Sequence, residues 1–300
     1  MPEHDDRTDD DPLKAILRRV RRIELITRGK VKEKLGGEYH SSFKGQGIDF
    51  DDFREYQAGD EVRAIDWNVT ARMGVPFVKT FVEEREMTVL LAVDISGSMD
   101  YGSGAVSKRE YAAEVAAAFA FAAAQNKDKV GLLLFAGGIE LFIGPQKGSS
   151  HILRLIREIL YARPPAGGSQ ARAAMDMLVR QVPRRSLILL VSDFTGFDAA
   201  EALKVASIKH DVVAVQISDP AERELPDTAA LPLADAETGE PLAYRRDLRY
   251  AYAKAHADWQ AKLRGALKRR GVDHIPLSTD EDYLSALHAF FSGRSARAFA

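Results

Sequence analysis

Four short apolar runs constrain this chain more than anything else in it. T-V-L-L-A-V-D (88–94), K-V-G-L-L-L-F (129–135), S-L-I-L-L-V-S-D (186–193) and D-V-V-A-V-Q-I-S (211–218) stay apolar through consecutive positions instead of alternating. A strand of that kind is buried on both faces, as in a parallel sheet covered by helices. The intervals supply the helices. An Ala-rich stretch runs from Lys108 to Gln125, and helical patterns follow at 149–161, 170–181 and 198–208. I-E-L-F-I (139–143) reads as an edge strand, a long helix over about 246–270 precedes V-D-H-I-P, and a last short helix closes the chain. Strands alternating with helices predict an α/β fold with a doubly wound, mostly parallel sheet.

The remaining segments predict smaller elements around that core. Residues 1–11 read as a disordered acidic tail and 12–37 as a basic amphipathic helix. In that helix Leu13, Ile16, Leu17, Val20 and Ile23 share one face, with Lys14, Arg18, Arg19, Arg21 and Arg22 mostly elsewhere, until Gly36-Gly37 stops it. The helix fits packing on its own protein with a solvated basic face; the alternative is docking on anionic lipid or an acidic partner. Residues 38–86 are rich in glycine, aromatics and charge and read as a β-rich module, and 87–300 as the α/β domain, with an insertion near 219–245 that turns at E-T-G-E. A net charge of −2 argues against a general nucleic-acid binder. The absence of cysteine removes disulfides, thiolate metal sites and thiol nucleophiles together. The acidic start is the reverse of a signal peptide, and no apolar window reaches the roughly 18–20 residues of a membrane span, so a cytoplasmic protein is expected.

The chemistry gathers where the strands end. L-L-A-V-D-I-S-G-S-M-D (90–100) closes a buried strand with Asp94, Ser96 and Ser98 on alternate positions. Val191-Ser192-Asp193 ends a second strand, and P-P-A-G-G-S brings Ser169 to the start of a helix. In a doubly wound sheet, ligands bind beyond the carboxyl ends of the strands, where the strand order reverses. Carboxylates and hydroxyls without histidine or cysteine suit Mg²⁺ or another hard divalent cation such as Mn²⁺ or Ca²⁺. The bland alternative is a set of side chains that cap the next helices.

D-I-S-G-S has the D-x-S-x-S form of the metal-ion-dependent adhesion site, and with the strand order it resembles the von Willebrand factor type A domain. The resemblance implies that Ser96 and Ser98 ligate the ion, that Asp94 and Asp193 act mainly through bound waters, and that Ser169 stands where that family usually has threonine. It also implies a position on the ion filled by an acidic side chain of a partner protein. The segment F-K-G-Q-G-I-D-F-D-D-F-R-E-Y-Q-A-G-D-E-V-R-A-I-D-W-N-V-T-A-R resembles the signature of the DUF58 family, bacterial proteins that pair this module with a type A domain. That family implies partnership with an AAA+ ATPase of the MoxR type and a chaperone-like role toward a client protein. Many members carry membrane helices ahead of the signature, whereas none is read here.

Taken by its residues, the signature segment reads as scaffold. Gly45, Gly47 and Gly59 suit tight turns; Asp49, Arg54, Asp60, Arg63, Asp66 and Arg72 suit an ion network; Trp67 suits an interface anchor. The alternative is an arginine-rich face that meets an ATPase. Enzyme readings each lack a part. A phosphoryl-accepting aspartate of the haloacid-dehalogenase kind wants a second carboxylate where Ser96 stands, and no G-x-S-x-G elbow surrounds Ser96 or Ser98. G-S-G-A-V-S-K (102–108) lacks the ending of a phosphate loop, and the seven histidines show no metal-ligand spacing. The expected function is therefore a non-enzymatic, metal-dependent interaction protein; the alternative is a Mg²⁺-dependent hydrolase or phosphotransferase using the same residues.

Overall fold

A computed structural model describes residues 12–34, 39, 42–43, 49–82, 86–163, 168–196, 200–228 and 231–298. The expected acidic tail, the Gly36-Gly37 stop, Gly45 and Gly47 lie outside the described residues, as does the side chain of Asp49. Residues up to Ser42 together with Thr88–Ala300 form one compact unit, and Phe43–Met87 form a second.

The smaller unit contains a hairpin of β1 (Asp49–Glu55) and β2 (Phe77–Val82), paired antiparallel. Between these strands lie a 3₁₀ turn (Val62–Ala64) and helix α2 (Trp67–Met73), so the segment read as β-rich is also helical. Local signals for this helix exist. The Asp66 side chain accepts from the amides of Asn68 and Val69 at 2.9 and 3.1 Å, and Gly74 ends the helix at φ 76°. Of the expected ion network, Arg54 and Asp60 form a two-pronged pair at 2.7 and 2.6 Å, which holds the Asp60 carboxyl at about 2. Arg63 and Arg72 are exposed with no ion-pair partner among the described residues. Trp67, expected as an anchor, is 65% exposed.

In the larger unit the apolar runs become the sheet. Its six strands lie in the order β10-β7-β6-β3-β4-β5. They are β3 (Thr88–Asp94), β4 (Lys129–Phe135), β5 (Ile139–Gln146), β6 (Leu187–Ser192), β7 (Asp211–Ser218) and β10 (Asp273–Ser278). All neighbours pair in parallel except β5, which runs antiparallel to β4 on the edge. The chain moves from β3 to β4 on one side and later from β6 to β7 on the other, so the order reverses between β3 and β6.

Helices cover both faces, which is why β3, β4, β6 and β7 have no polar face. Leu90, Ala92, Ile188, Leu190 and Ala214 pack on helices α5 (Ala171–Gln181), α6 (Ala200–Lys209) and α7 (Arg249–Arg269). On the other face lies α3 (Lys108–Gln125), whose buried alanines let its backbone lie close to the sheet. Beside α3 packs α4 (Ser149–Tyr161), and α1 (Pro12–Lys34) packs on both. Helix α1 buries Val20, Ile23, Thr27 and Val31 and leaves much of its basic side exposed. The last helix, α8 (Tyr283–Ala298), has 16 residues and is longer than its sequence suggests, because Gly293 interrupts the pattern. Tertiary contacts compensate. Phe291 packs edge-on against Phe119 and Tyr39, and Arg294 pairs with Asp211 and Asp273.

Between β7 and α7 lies the insertion. It contains a 3₁₀ turn (Pro220–Glu222) and a small hairpin of β8 (Leu233–Ala234) and β9 (Pro241–Leu242).

His210, at the join of α6 and β7, is 1% exposed, and neither ring nitrogen has a partner among the described residues. Burial pushes its pKa down to about 4, and burial does the same to His274. Both rings are therefore neutral in the fold, while the unfolded chain takes up protons below about pH 6.5. Stability is expected to be full above that pH and to fall as the pH drops from about 6.5 toward 4. His210→Leu should flatten this decline in urea titrations at pH 7 and pH 5; an unchanged decline would contradict the assignment.

Candidate functional site

The expected residues meet at the β3/β6 reversal. Asp94, the last residue of β3, is completely buried. Its Oδ1 accepts the Ser96 amide at 2.9 Å, and its Oδ2 accepts the hydroxyls of Ser169 at 2.6 Å and Ser192 at 2.7 Å. Burial pushes the Asp94 carboxyl up, and these neutral donors only partly oppose it. No cationic side chain bonds it among the described residues.

Ser96 and Ser98 flank Gly97 at the start of a 3₁₀ turn (Gly97–Asp100), with their Oγ atoms 3.3 Å apart. Ser98 also lies close enough to Asp193 to help hold that carboxyl low. Ser169 reaches Asp94 from the loop before α5, where the next amide, of Gln170, donates to the Ala136 carbonyl at 2.7 Å. Thus Asp94, Ser96, Ser98 and Ser169 form one hydrogen-bonded cluster, with Asp193 beside it next to Ser192, although these residues come from three separate segments.

Asp193 is the member with a counter-charge. Its Oδ2 lies 2.7 Å from Lys108 Nζ, and its Oδ1 accepts the Thr195 amide at 2.9 Å. Lys108 is 0% exposed and also pairs with Glu222, whose other oxygen accepts the Asp219 amide at 3.0 Å. Burial pulls the Lys108 ammonium down, but the two carboxylates hold it above its ordinary value. Burial likewise pushes Asp193 up, and Lys108, together with the Thr195 amide and Ser98, more than reverses that. The chain turns sharply after Asp193. Phe194 is buried at φ 60°, a left-handed conformation that costs a bulky residue on the order of 1–2 kcal/mol. The Phe194 amide donates to Ser192 Oγ at 2.9 Å, so the strained turn and the Asp94 contact share one hydroxyl.

Four residues of this cluster escape motif reading. Ser192 was legible only as the neighbour of Asp193. Lys108 had one local signal: it opens α3, where the helix dipole disfavours a cation, so nearby carboxylates are implied. Glu222 and Glu237 come from the insertion. Glu237 accepts from the amides of Gly97 and Ser98 at 3.1 and 3.0 Å. A cavity of about 370 Å³ adjoins Asp193 and is lined also by Gln216 and by Tyr252, His256 and Trp259 of α7. Among the described residues no group of three or more histidine, aspartate or glutamate side chains is arranged to hold a metal. A cation here would depend on hydroxyls as much as on carboxylates.

Residues 52–262 match the family model described as "Protein of unknown function DUF58". The uncharacterized proteins Rv1480 of Mycobacterium tuberculosis and Mb1516 of Mycobacterium bovis are each 32% identical over 296 residues, covering 97% of this chain and 93% of theirs. Among solved structures, the conserved hypothetical protein BatB from Bacteroides thetaiotaomicron is 17% identical, with a TM-score of 0.49 over 70% of this chain and 99% of that one. An aerotolerance-related membrane protein from Bacteroides fragilis is 18% identical, with a TM-score of 0.47 and the same coverage. Among the described residues of the present chain, no helix is long and apolar enough to cross a membrane.

Removing the ammonium should expose how much the cluster needs it. Lys108→Met leaves Asp193 and Glu222 without their cation, and a broken buried pair typically costs about 3–5 kcal/mol. The expected result is a correspondingly lower urea midpoint. A midpoint within experimental error of the wild type would mean that Asp193 does not depend on Lys108.

Proposed function

Taking as premise that the chain belongs to the DUF58 family, we propose that it is a non-enzymatic interaction protein whose docking surface is a divalent-cation site of the adhesion type. The observation that carries this reading is the convergence of Ser96, Ser98 and Ser169 on Asp94, with Asp193 following Ser192 beside them, at the sheet's order reversal. In this proposal the larger unit is a doubly wound domain of von Willebrand factor type A kind.

The donor set fits a hard cation. Its oxygens are hydroxyl and carboxylate, and two serine oxygens stand 3.3 Å apart on one short loop. Asp94 is a buried carboxylate served by neutral donors alone, which a cation beside it would compensate. Ser96, Ser98 and Ser169 would hold the ion, with Asp94 and Asp193 behind them acting through its waters. The ion would supply a positive centre for an acidic side chain of a partner. Lys108 then acts differently from the serines, neutralising Asp193 and Glu222 from the protein side and limiting the excess negative charge that the cation must meet. The partner class we propose is a MoxR-type AAA+ ATPase acting on a client protein in the cytoplasm. It rests on the family resemblance rather than on the geometry.

A second reading, a Mg²⁺-dependent hydrolase or phosphotransferase, is favoured by one observation: the aromatic-walled cavity beside Asp193 has room for a small substrate. Turnover of generic phosphoester or peptide substrates that requires Mg²⁺ would move the assignment to this class.

Binding of a cation by the folded state alone raises stability by about 2.7 kcal/mol at a hundred times its dissociation constant. Mg²⁺ should therefore raise the melting temperature of the wild type, EDTA should reverse the rise, and Ser98→Ala should abolish it while remaining folded. Equal responses of wild type and Ser98→Ala would refute the site.

A further inference from the structure

The insertion reaches back over the serine loop. Glu237, in the turn of the β8–β9 hairpin, accepts from the amides of Gly97 and Ser98 at 3.1 and 3.0 Å. The Ala236 carbonyl presses on the same spot: a Cβ on Gly97 would lie 2.2 Å from its oxygen. Only glycine admits this approach.

The turn that carries Glu237 is braced, on a hairpin of very short strands. Asp235 accepts from the amides of Glu237 and Thr238 at 3.0 and 2.8 Å and from the Thr238 hydroxyl at 3.1 Å. Gly239 follows at φ 74°. The strands beneath are two residues each, paired as Leu233–Leu242 and Ala234–Pro241 and closed by a bond from the Asp235 amide to the Glu240 carbonyl at 2.8 Å, and Leu242 is 53% exposed. A hairpin this short has little stability of its own. Its carboxylate is thus presented in a fixed shape on a short hairpin.

We propose that this hairpin is a built-in acidic ligand of the serine loop, occupying the seat that an acidic turn of a partner protein takes when it docks. The proposal deepens the interaction reading given above and rests on it for the identity of the surface. The partner is recognised by one carboxylate on a turn, which accepts from the Gly97 and Ser98 amides in place of Glu237. Docking is then an exchange of one carboxylate for another, with no charged group left bare. The resident hairpin also sets a threshold, since a partner must outcompete an arm already tethered at high local concentration.

Amide hydrogen exchange of the full chain tests this. Glu237→Ala should speed exchange at Gly97 and Ser98 by about ten-fold or more, while β3 and β6 stay as protected as in the wild type. Gly97→Ala should also speed exchange at Ser98, because its methyl group excludes the closed hairpin. In the Glu237→Ala variant, millimolar L-A-D-A-E-T-G-E-P-L, the hairpin's own sequence, should slow those two amides again. The same peptide with glutamine replacing the glutamate of its A-E-T-G turn should not. Unchanged exchange in Glu237→Ala, or equal action of the two peptides or of neither, overturns the proposal. Mg²⁺ titration of the same variant separates it from the metal reading. Failure to bind Mg²⁺ with a persisting peptide effect sinks only the cation, and Mg²⁺ binding without a peptide effect sinks only the exchange.

Discussion

A completely buried ammonium organises the end of the sheet at which β3 and β6 finish. Lys108 stands at the first turn of α3, where the helix dipole opposes it, and its position is tolerable only because Asp193 and Glu222 meet it. Those two carboxylates come from the end of β6 and from the insertion, so one charge fastens three segments that share no backbone pairing. With Asp193 fixed in this way, the chain reverses through the left-handed Phe194, and Ser192 is turned toward Asp94. An ammonium taken out of water costs several kcal/mol unless it is met by opposite charge, which makes the joint all-or-none in character.

The two aspartates of the cluster consequently differ. Asp193 is held low by a cation of the protein's own, whereas Asp94 is surrounded by hydroxyls and an amide and is pushed up by burial. Identical side chains a short distance apart thus meet opposite electrostatic conditions. Serine is the residue that makes this workable at Asp94, because a hydroxyl satisfies a carboxylate's lone pairs while adding no charge. The insertion completes the pattern. Asp219 accepts from the Ser103 amide at 2.9 Å, Glu222 meets Lys108, and Glu237 covers the loop of Ser96 and Ser98. A segment that looks like an excursion from the fold supplies three of the carboxylates at its rim.

Much of the architecture was legible because its causes are local. Runs such as Ile188–Val191 stay apolar through consecutive positions because both sheet faces are covered, and the covering helices announce themselves between the runs. The edge strand β5 was legible from the short run I-E-L-F-I, and its antiparallel direction emerged only in the sheet. Two elements were misjudged for equally physical reasons. Helix α2 carries a good cap in Asp66 and a good stop in Gly74, but its seven residues lie among short β-type runs. Helix α8 continues past Gly293 because Arg294 is anchored by Asp211 and Asp273, contacts that no helical pattern contains.

The sequence by itself determined that Asp94, Ser96 and Ser98 leave a buried strand together and that Asp193 leaves another, since both facts follow from the spacing of neighbouring residues. Tertiary structure decided which charges those groups meet and what covers them. Lys108 and Asp193 are 85 positions apart, Lys108 and Glu222 are 114 apart, and Glu237 lies 139 positions from Ser98. Electrostatic and hydrogen-bond energies depend on separation in space, and over such lengths only the closed sheet and its covering helices convert position in the chain into distance.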